Sequence, residues 1–381
     1  MREDIMKVLI TSDVFPPDIG GIQTFTYGLA KNLSYDERIE EVTVLTFGAE
    51  KIGKEKINEY LKVHRLPRSN LASQSFAFLH KLTNFEDYDI LHSTTIFPAG
   101  FLTSLFSLIN AEKDFFVTVF GLDVLSGLNF FKTRLPIKWT LDRSEKVLAF
   151  SNSTRDKIKK VYEEENKIIT VYPGFSVPKS SNGFKDTRFE DRYLSSEDDF
   201  VVLFVGRLVE RKGVDDLIRG IKELDGKEVK FLIVGDGPKR KGLETLAKKM
   251  GVKDQVHFVG KIKREKISKF YAFSDVFCMP SKFLQDKGDV EGLGLVFLEA
   301  QSYGLPVIGT ESGGIPEAIN DKKSGFVVPS GDPQTLAHKI RKLKENSNLY
   351  QDMSENAKQF VNKKFSWEKC VERHVRIYND C

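Results

Sequence analysis

The sequence VVLFVGRLVERKG, residues 201–213, begins with an apolar run and continues into a glycine and a cluster of charged side chains. A short apolar run without polar alternation is typical of a strand that helices cover on both faces of a parallel sheet. The second half of the chain therefore reads as a doubly wound parallel α/β domain. Five more such runs follow: VKFLIVGDG (229–237), VHFVG (256–260), DVFCMPS (275–281), PVIGT (306–310) and FVVP (326–329).

The first half of the chain shows the same alternation of apolar runs and helical patterns. Its runs predict strands at KVLITSD (7–13), EVTVLTF (41–47), DILHS (89–93), FFVTVF (115–120), KVLAFS (146–151) and IITVYPG (168–174). Between the halves, residues 179–199 are polar and almost free of aliphatic side chains, which indicates a linker. We expect two Rossmann-like domains, over 1–178 and 200–364, and a C-terminal helix over 365–381 that can pack back on the first domain.

Length and composition agree with two soluble domains. The 381 residues exceed the size at which one core keeps growing, and the chain is 40% hydrophobic and 29% charged. A net charge of +4 is small for this length and does not indicate nucleic acid. Three cysteines are too few for a disulfide framework or a zinc cluster. The N-terminus enters a strand too soon for a signal peptide, and we expect a cytosolic protein.

Glycines and polar residues gather just after the predicted strands, where parallel α/β sheets bind ligands. We therefore expect one site in a cleft between the two domains. The sharpest motif is DVEGLGLVFLEA (289–300), in which Gly292, Leu293 and Gly294 lead into a helix. Backbone N–H groups at such a helix start can bind an anion. Glu291 precedes the helix and Glu299 lies inside it, so one carboxylate can meet sugar hydroxyls and the other a ribose; the alternative is a capped helix start with two surface glutamates.

A second motif, GRLVERKG (206–213), follows the first strand of the second domain. Gly206 ends that strand, Arg207 leaves it, and Lys212 is expected in the first turn of the next helix, where a cation opposes the helix dipole. A bound anion would remove that conflict, and the two cations suit a diphosphate. The alternative is that Lys212 is simply solvated.

Three further glycine turns follow predicted strands. Gly20 and Gly21 open a helix after the first strand and can expose N–H donors there. VGDGP, which contains Gly235, Asp236 and Gly237, and ESGGIPEAI (311–319) can shape a nucleotide pocket or be ordinary turns.

Taken together and in order, these motifs resemble those of the retaining glycosyltransferases of family 4, which have the GT-B fold. The resemblance covers nearly the whole chain, and the bacterial phosphatidylinositol mannosyltransferase-like members look most similar. It implies an N-terminal acceptor-binding domain, a C-terminal donor-binding domain and a nucleotide diphosphate-sugar donor with UDP, GDP or another base. The acceptor would be a glycan, a lipid or a lipid-linked saccharide.

The resemblance also implies roles for single residues. Glu291 and Glu299 match the family's E-x7-E pair, which contacts the donor sugar and the ribose. Arg207 and Lys212 match the pair that neutralises the leaving diphosphate, and Gly21 matches a glycine whose amide meets the same group. The Leu293 and Gly294 amides would add to the phosphate site, and Asp13 aligns with a residue near the acceptor. These groups can stabilise the leaving phosphate without a metal or other cofactor.

One position departs from the family pattern. Members carry His-Gly-x-Asp/Glu after a strand of the first domain, whereas this chain has FGLD, from Phe120 to Asp123. The family's histidine lies beside the 6-hydroxyl of the donor sugar, and Phe120 cannot form a hydrogen bond. An apolar wall beside an unmatched hydroxyl costs about 1 to 3 kcal/mol, so the donor can be a pentose or a 6-deoxy sugar. Impaired transfer, or a histidine supplied from elsewhere, would also fit.

Other classes of function remain open from the sequence. The missing histidine would fit a silent nucleotide-sugar binder, and a sugar-nucleotide epimerase can share the architecture, although the E-x7-E pair argues against it. An oxidoreductase is disfavoured because no G-x-G-x-x-G with a downstream acid follows either first strand.

Two mixed basic and apolar stretches predict either a solvated surface or peripheral contact with anionic lipid. The first joins the basic residues between Lys51 and Arg68 to FAFLHKL (76–82), and the second is NFFKTRLPIKW (129–139).

Overall fold

The computed structural model describes residues 5–18, 20–48, 52–110, 112–129, 131–175, 193, 196, 199–224, 228–284 and 290–380. The chain divides into two compact units. Unit 1 comprises Met1–Gly174 with Phe365–Cys381, and unit 2 comprises Phe175–Lys364. Apart from Tyr193, Ser196 and Asp199, the predicted linker lies outside the described residues.

Unit 1 alternates strands and helices from its N-terminus and receives the last helix of the chain. Its strands are β1 (Met6–Ser12), β2 (Ile39–Gly48), β3 (Gly53–Lys56), β4 (Leu61–Pro67), β5 (Ile90–Ser93), β6 (Asp114–Val119), β7 (Lys146–Ala149) and β8 (Ile168–Thr170). Its helices are α1 (Gly21–Leu33), α2 (Leu71–Leu82), α3 (Phe101–Ile109), α4 (Leu122–Asn129), α5 (Phe131–Arg143), α6 (Asn152–Lys159) and, at the C-terminus, α14 (Trp367–Asn379).

Unit 2 repeats the pattern. Its strands are β9 (Phe200–Val205), β10 (Val229–Val234), β11 (Val256–Gly260), β12 (Val276–Met279), β13 (Val307–Thr310) and β14 (Gly325–Val328). Its helices are α7 (Val214–Ile221), α8 (Arg240–Met250), α9 (Arg264–Phe273), α10 (Leu295–Ser302), α11 (Ile315–Ala318), α12 (Pro333–Glu345) and α13 (Ser347–Lys364).

Each unit contains one predominantly parallel sheet. The strand order is β3-β4-β2-β1-β5-β6-β7-β8 in unit 1 and β11-β10-β9-β12-β13-β14 in unit 2. In unit 2 every described pair of named strands is parallel, and every residue of β9 is buried. The order reverses at β1 and at β9, so the loops that leave these strands and their neighbours β5 and β12 lie side by side. This is where doubly wound sheets bind ligands.

The predicted fold class is confirmed, because each half contains its six predicted strands in a parallel α/β sheet. The sequence reading missed β3 and β4. The sequence LKVHRLP of β4 carries basic side chains, yet its residues from Val63 to Arg65 are buried. Arg65 is buried, and its Nη2 lies 3.1 Å from Oε2 of Glu55. Arg68 forms an ion pair with Asp18. Both arginines therefore form ion pairs within unit 1, and they do not contribute to an unpaired basic surface.

Helix α14 packs on unit 1 through one tryptophan and a buried polar group. The ring of Trp367 lies against the backbone of Gly28 in α1 and of Gly174. Tyr378 is buried, with its hydroxyl 2.6 Å from Nδ1 of His92, and Nε2 of His92 lies 2.8 Å from the Thr118 hydroxyl. In the part of the chain that the structure describes, no helix combines the length and the apolar composition needed to cross a bilayer.

The contact between Gly28 and Trp367 predicts that a methyl group added at Gly28 destabilises the protein. A Cβ on Gly28 would lie 2.0 Å from Cζ2 of the indole, so Gly28→Ala should lower the free energy of unfolding by about 1 to 3 kcal/mol despite alanine's helix propensity. Gly242 in α8 is the matched control, because a Cβ there meets nothing within 4 Å. Gly242→Ala should raise stability by about 0.5 to 1 kcal/mol. Urea unfolding followed by circular dichroism measures both, and a Gly28→Ala protein as stable as the wild type would contradict the packing.

Candidate active site

The loop after β9 is fixed by backbone contacts with neighbouring loops. The N–H of Gly206 donates to the Val234 backbone carbonyl at 3.0 Å. The N–H of Leu208 donates to the Asp236 backbone carbonyl at 2.9 Å. A 3-10 turn over Glu210–Lys212 follows and ends at Gly213, whose φ is 66°. A Cβ on Gly213 would lie 1.9 Å from the Pro280 carbonyl oxygen, so only glycine lets this loop approach the loop after β12 so closely.

That close approach brings two cations onto one carboxylate. Nζ of Lys212 lies 2.7 Å from Oε2 of Glu291, and the guanidinium of Arg211 pairs with the same oxygen. The side chains are largely shielded, with exposed fractions of 11% for Lys212, 14% for Glu291 and 18% for Arg211. The Lys212 ammonium also lies 3.3 Å from the Met279 sulfur.

The charge state of Glu291 follows from two opposing effects. Burial alone would raise the pKa of its carboxyl, but Lys212 and Arg211 outweigh burial and hold the pKa below its ordinary value. Glu291 is therefore ionised near neutral pH. In the described part of the chain no hydrogen bond or ion pair reaches its other oxygen, Oε1.

The backbone of Glu291 is held by the glycine pair of the ESGGIPEAI motif. The N–H of Gly314 donates to the Glu291 carbonyl at 3.0 Å. A Cβ on Gly313 would lie 2.0 Å from that carbonyl oxygen, and one on Gly314 would lie 2.0 Å from the Gly292 oxygen. These glycines therefore allow the two loops to pack backbone to backbone.

The VGDGP motif supports the other loop in the same way. A Cβ on Gly235 would lie 1.9 Å from the Gly206 carbonyl oxygen, and one on Gly237 would lie 2.4 Å from that of Leu208. Asp236 is exposed; its carboxylate accepts from the Gly237 N–H at 2.7 Å and lies 3.3 Å from the Arg240 guanidinium.

The helix after Glu291 begins where the sequence predicted. Gly294, with φ 83°, directly precedes α10, and the Leu293 side chain is buried. The N-terminal N–H groups of α10 thus begin at Leu295, four residues after Glu291. Glu299, the fifth residue of α10, accepts a hydrogen bond from the buried Tyr271 hydroxyl at 2.8 Å.

Arg207 and Lys212, the two cations that the sequence predicted for the site, lie in different environments. Lys212 belongs to the 3-10 turn before α7, so its placement in the first turn of that helix was wrong. Arg207 is exposed, and within the described residues its side chain forms no hydrogen bond or ion pair. Its role toward a diphosphate stays a prediction. Arg211, adjacent to Lys212, was not singled out, although the Arg-Lys pair before the glycine was a visible signal.

The predicted residues of unit 1 lie after β1 and β6. The Asp13 carboxylate accepts from the Ala99 N–H at 3.0 Å, and the Asp13 N–H donates to the Thr95 hydroxyl at 3.0 Å. Burial raises the pKa of Asp13 to about 6, against the effect of these hydrogen bonds. Gly21 is the exposed first residue of α1.

Phe120 lies in an aromatic cluster. Its ring centroid is 4.7 Å from that of Phe150 and 5.8 Å from that of Phe25. The Phe120 N–H donates to the Asp123 carboxylate at 3.1 Å, which fixes the FGLD loop. Burial raises the pKa of Asp123, and the loop N–H groups act in the opposite direction. Among the described residues no group of three or more acidic, histidine or cysteine side chains is placed to hold a metal ion.

Comparison with known proteins defines the class and then the family. The chain is similar in structure to the Anabaena protein HepE in complex with UDP and glucose, with a TM-score of 0.77 at 20% identity over 99% of this chain and 100% of that one. This likeness shows the fold of the GT-B glycosyltransferases. Residues 19–177 match the model of Glycosyltransferase Family 4, and residues 185–360 match that of glycosyl transferases group 1.

Full-length relatives agree with the family models. The chain is 30% identical to the GDP-mannose-dependent alpha-(1-6)-phosphatidylinositol monomannoside mannosyltransferase of Mycolicibacterium smegmatis, over 88% of each chain. It is 28% identical to the N-acetyl-alpha-D-glucosaminyl L-malate synthase of Bacillus anthracis, over 96% of this chain and 95% of that one. The chain therefore belongs to glycosyltransferase family 4, as its motifs predicted.

Proposed function

We propose that this glycosyltransferase moves a sugar from a nucleotide diphosphate-sugar to an acceptor hydroxyl with retention of configuration and without a metal ion. The observation that carries the proposal is the cluster of Arg211, Lys212 and Glu291 just before the N-terminus of α10. A diphosphate needs positive charge and N–H donors, and a sugar needs a hydrogen-bond acceptor. This part of unit 2 offers all three.

Each group receives a role from its chemistry. Lys212, with Arg207, binds the diphosphate, and the N–H groups of Leu293, Gly294 and α10 add to this binding. The unpaired oxygen of Glu291 accepts from sugar hydroxyls, and Glu299 accepts from the ribose. For unit 1 the proposal keeps the roles that the family resemblance implies, with the Gly21 N–H as a donor to the diphosphate and Asp13 as a residue for the acceptor.

The proposed reaction breaks the bond between the anomeric carbon and the diphosphate oxygen and forms a bond to the acceptor oxygen on the same face. The departing phosphate oxygen takes the acceptor proton, so no protein side chain has to act as general base. Lys212 and the helix N–H groups stabilise the negative charge that develops on the leaving group. This charge is the one that a metal would otherwise neutralise.

The donor sugar is the finer part of the proposal. HepE was solved with UDP and glucose, and the Mycolicibacterium enzyme is GDP-mannose-dependent, so these relatives leave the base open. Phe120 and its neighbours Phe25 and Phe150 present apolar rings where the family has a histidine. We propose a donor that lacks the 6-hydroxyl, as a pentose or a 6-deoxy sugar does.

The assignment of the cluster predicts a large kinetic effect. Lys212→Ala and Glu291→Gln should each lower transfer by about 100- to 1,000-fold, because each removes a group that acts on the transition state. Circular dichroism should show an intact fold. Lys222→Ala, at an exposed lysine of the same unit, is the control and should leave the rate unchanged. Near-normal rates in either site variant would mean that the cluster is not catalytic, and a wild type without turnover would favour a silent binder.

The donor proposal predicts a change of preference at Phe120. Phe120→His should raise kcat/KM for hexose nucleotides, relative to pentose and 6-deoxy donors, by about 10- to 200-fold. Phe120→Leu keeps the apolar surface and should keep the wild-type preference. A nucleotide-sugar panel with all three proteins measures the ratios. A wild type that prefers ordinary hexose donors would contradict the proposal.

We further propose that unit 1 touches an anionic membrane through α2, α3 and α5. Helix α3 packs against α2 and α5, and these helices expose apolar side chains, including Phe76, Ile109, Leu135 and Trp139. Helix α5 adds exposed basic residues at Lys132, Arg134 and Lys138. Basic residues beside apolar ones are the pattern that binds lipid headgroups at the membrane surface.

Charge reversal tests this surface. The Lys132→Glu/Lys138→Glu double variant should bind phosphatidylserine vesicles at least about tenfold more weakly than the wild type, because each lysine contributes about 1 kcal/mol. The Lys241→Glu/Lys248→Glu variant, with the same charge change on α8, should bind like the wild type. Vesicle sedimentation at low and high salt measures binding. Equal losses in both variants, or binding that salt does not weaken, would overturn the proposal.

A further inference from the structure

The cluster at Glu291 contains one more cation than its carboxylate needs. Lys212 and Arg211 both contact Oε2 of Glu291, although either alone would neutralise it. If Lys212 binds the donor diphosphate, as the proposed function requires, the phosphates compete with Glu291 for its ammonium. Without a second cation, this exchange would leave a shielded carboxylate with no partner, which is costly.

Arg211 is placed to prevent that cost. Its carbonyl oxygen accepts a hydrogen bond from the Lys282 N–H at 2.6 Å, which fixes the backbone of the 3-10 turn. The next residue but one, Gly213, contacts the Pro280 carbonyl closely enough to exclude any side chain. With its backbone fixed, Arg211 can keep its guanidinium on Glu291 while the Lys212 ammonium turns to a phosphate.

We infer that Arg211 is a positioning residue, the lasting counter-ion of Glu291, and that it releases Lys212 for the donor diphosphate. This inference rests on the proposed function. Arg211 thus acts on diphosphate binding through Glu291 and not by touching the phosphates. The carboxylate stays ionised and keeps its other oxygen for the sugar.

A double-mutant cycle separates this role from direct phosphate contact. Calorimetric titration with UDP and with GDP should show that Arg211→Gln weakens binding of whichever nucleotide the wild type binds by about tenfold, because Glu291 then retains Lys212. Arg211→Lys should restore most of the loss. In a Glu291→Gln protein, where no carboxylate competes for Lys212, adding Arg211→Gln should change the affinity less than twofold.

Different results of the double-mutant cycle would contradict the inference in different ways. If Arg211→Gln weakens binding equally with and without the Glu291 carboxylate, Arg211 contacts the phosphates directly and the inference is wrong. If it changes nothing in either background, Arg211 has no such role. A wild type that binds neither nucleotide would overturn the proposed function, and this inference with it.

The pH profile gives a readout that a merely structural role would not move. Arg211 and Lys212 are the charged side chains that contact Glu291 among the described residues, and both lower the pKa of its carboxyl. Removing Arg211 raises that pKa, so the acid limb of kcat/KM for the donor should move to higher pH in Arg211→Gln and return in Arg211→Lys. An unmoved acid limb would contradict the inference.

Discussion

The ion cluster at Glu291 sets the conditions for the rest of the site. A carboxylate that is 14% exposed stays ionised because two cations share one of its oxygens. The same contacts use only Oε2, and among the described residues no hydrogen bond or ion pair reaches the other carboxylate oxygen, Oε1. The ionised carboxylate, the two cations that contact it and the oxygen that can accept from a ligand thus belong to a single arrangement of three side chains.

Backbone packing makes that arrangement possible. Lys212 and Glu291 are far apart in sequence and meet because their loops leave β9 and β12, which are neighbours at the point where the strand order reverses. Glycines at 213, 313 and 314 then let the loops approach to distances that a Cβ would forbid. Gly235 and Gly237 do the same for the loop after β9. Several motif glycines therefore serve the site by fixing its backbone.

The fold could be predicted from the sequence more fully than the site. Buried parallel strands such as β9 can be predicted because their sequences are unbroken apolar runs. All twelve predicted strands are present in the structure. The edge strand β3 and its neighbour β4 were missed because their polar and basic residues have partners, such as Glu55 for Arg65, that only the tertiary structure supplies. At the candidate site, the motifs singled out Lys212 and Glu291, which the structure brings into contact. It could not show that Arg211 would reach the carboxylate while Arg207 would stay exposed, since both follow the same strand.

The most direct test of the central claim is a crystal structure of the protein with the nucleoside diphosphate that it binds. We expect the phosphates within hydrogen-bond distance of the Lys212 ammonium and of the N–H groups that begin α10, with Arg211 still on Glu291. Phosphates bound at a different edge of the unit 2 sheet, or a Lys212 that stays on Glu291 and makes no phosphate contact, would contradict the account.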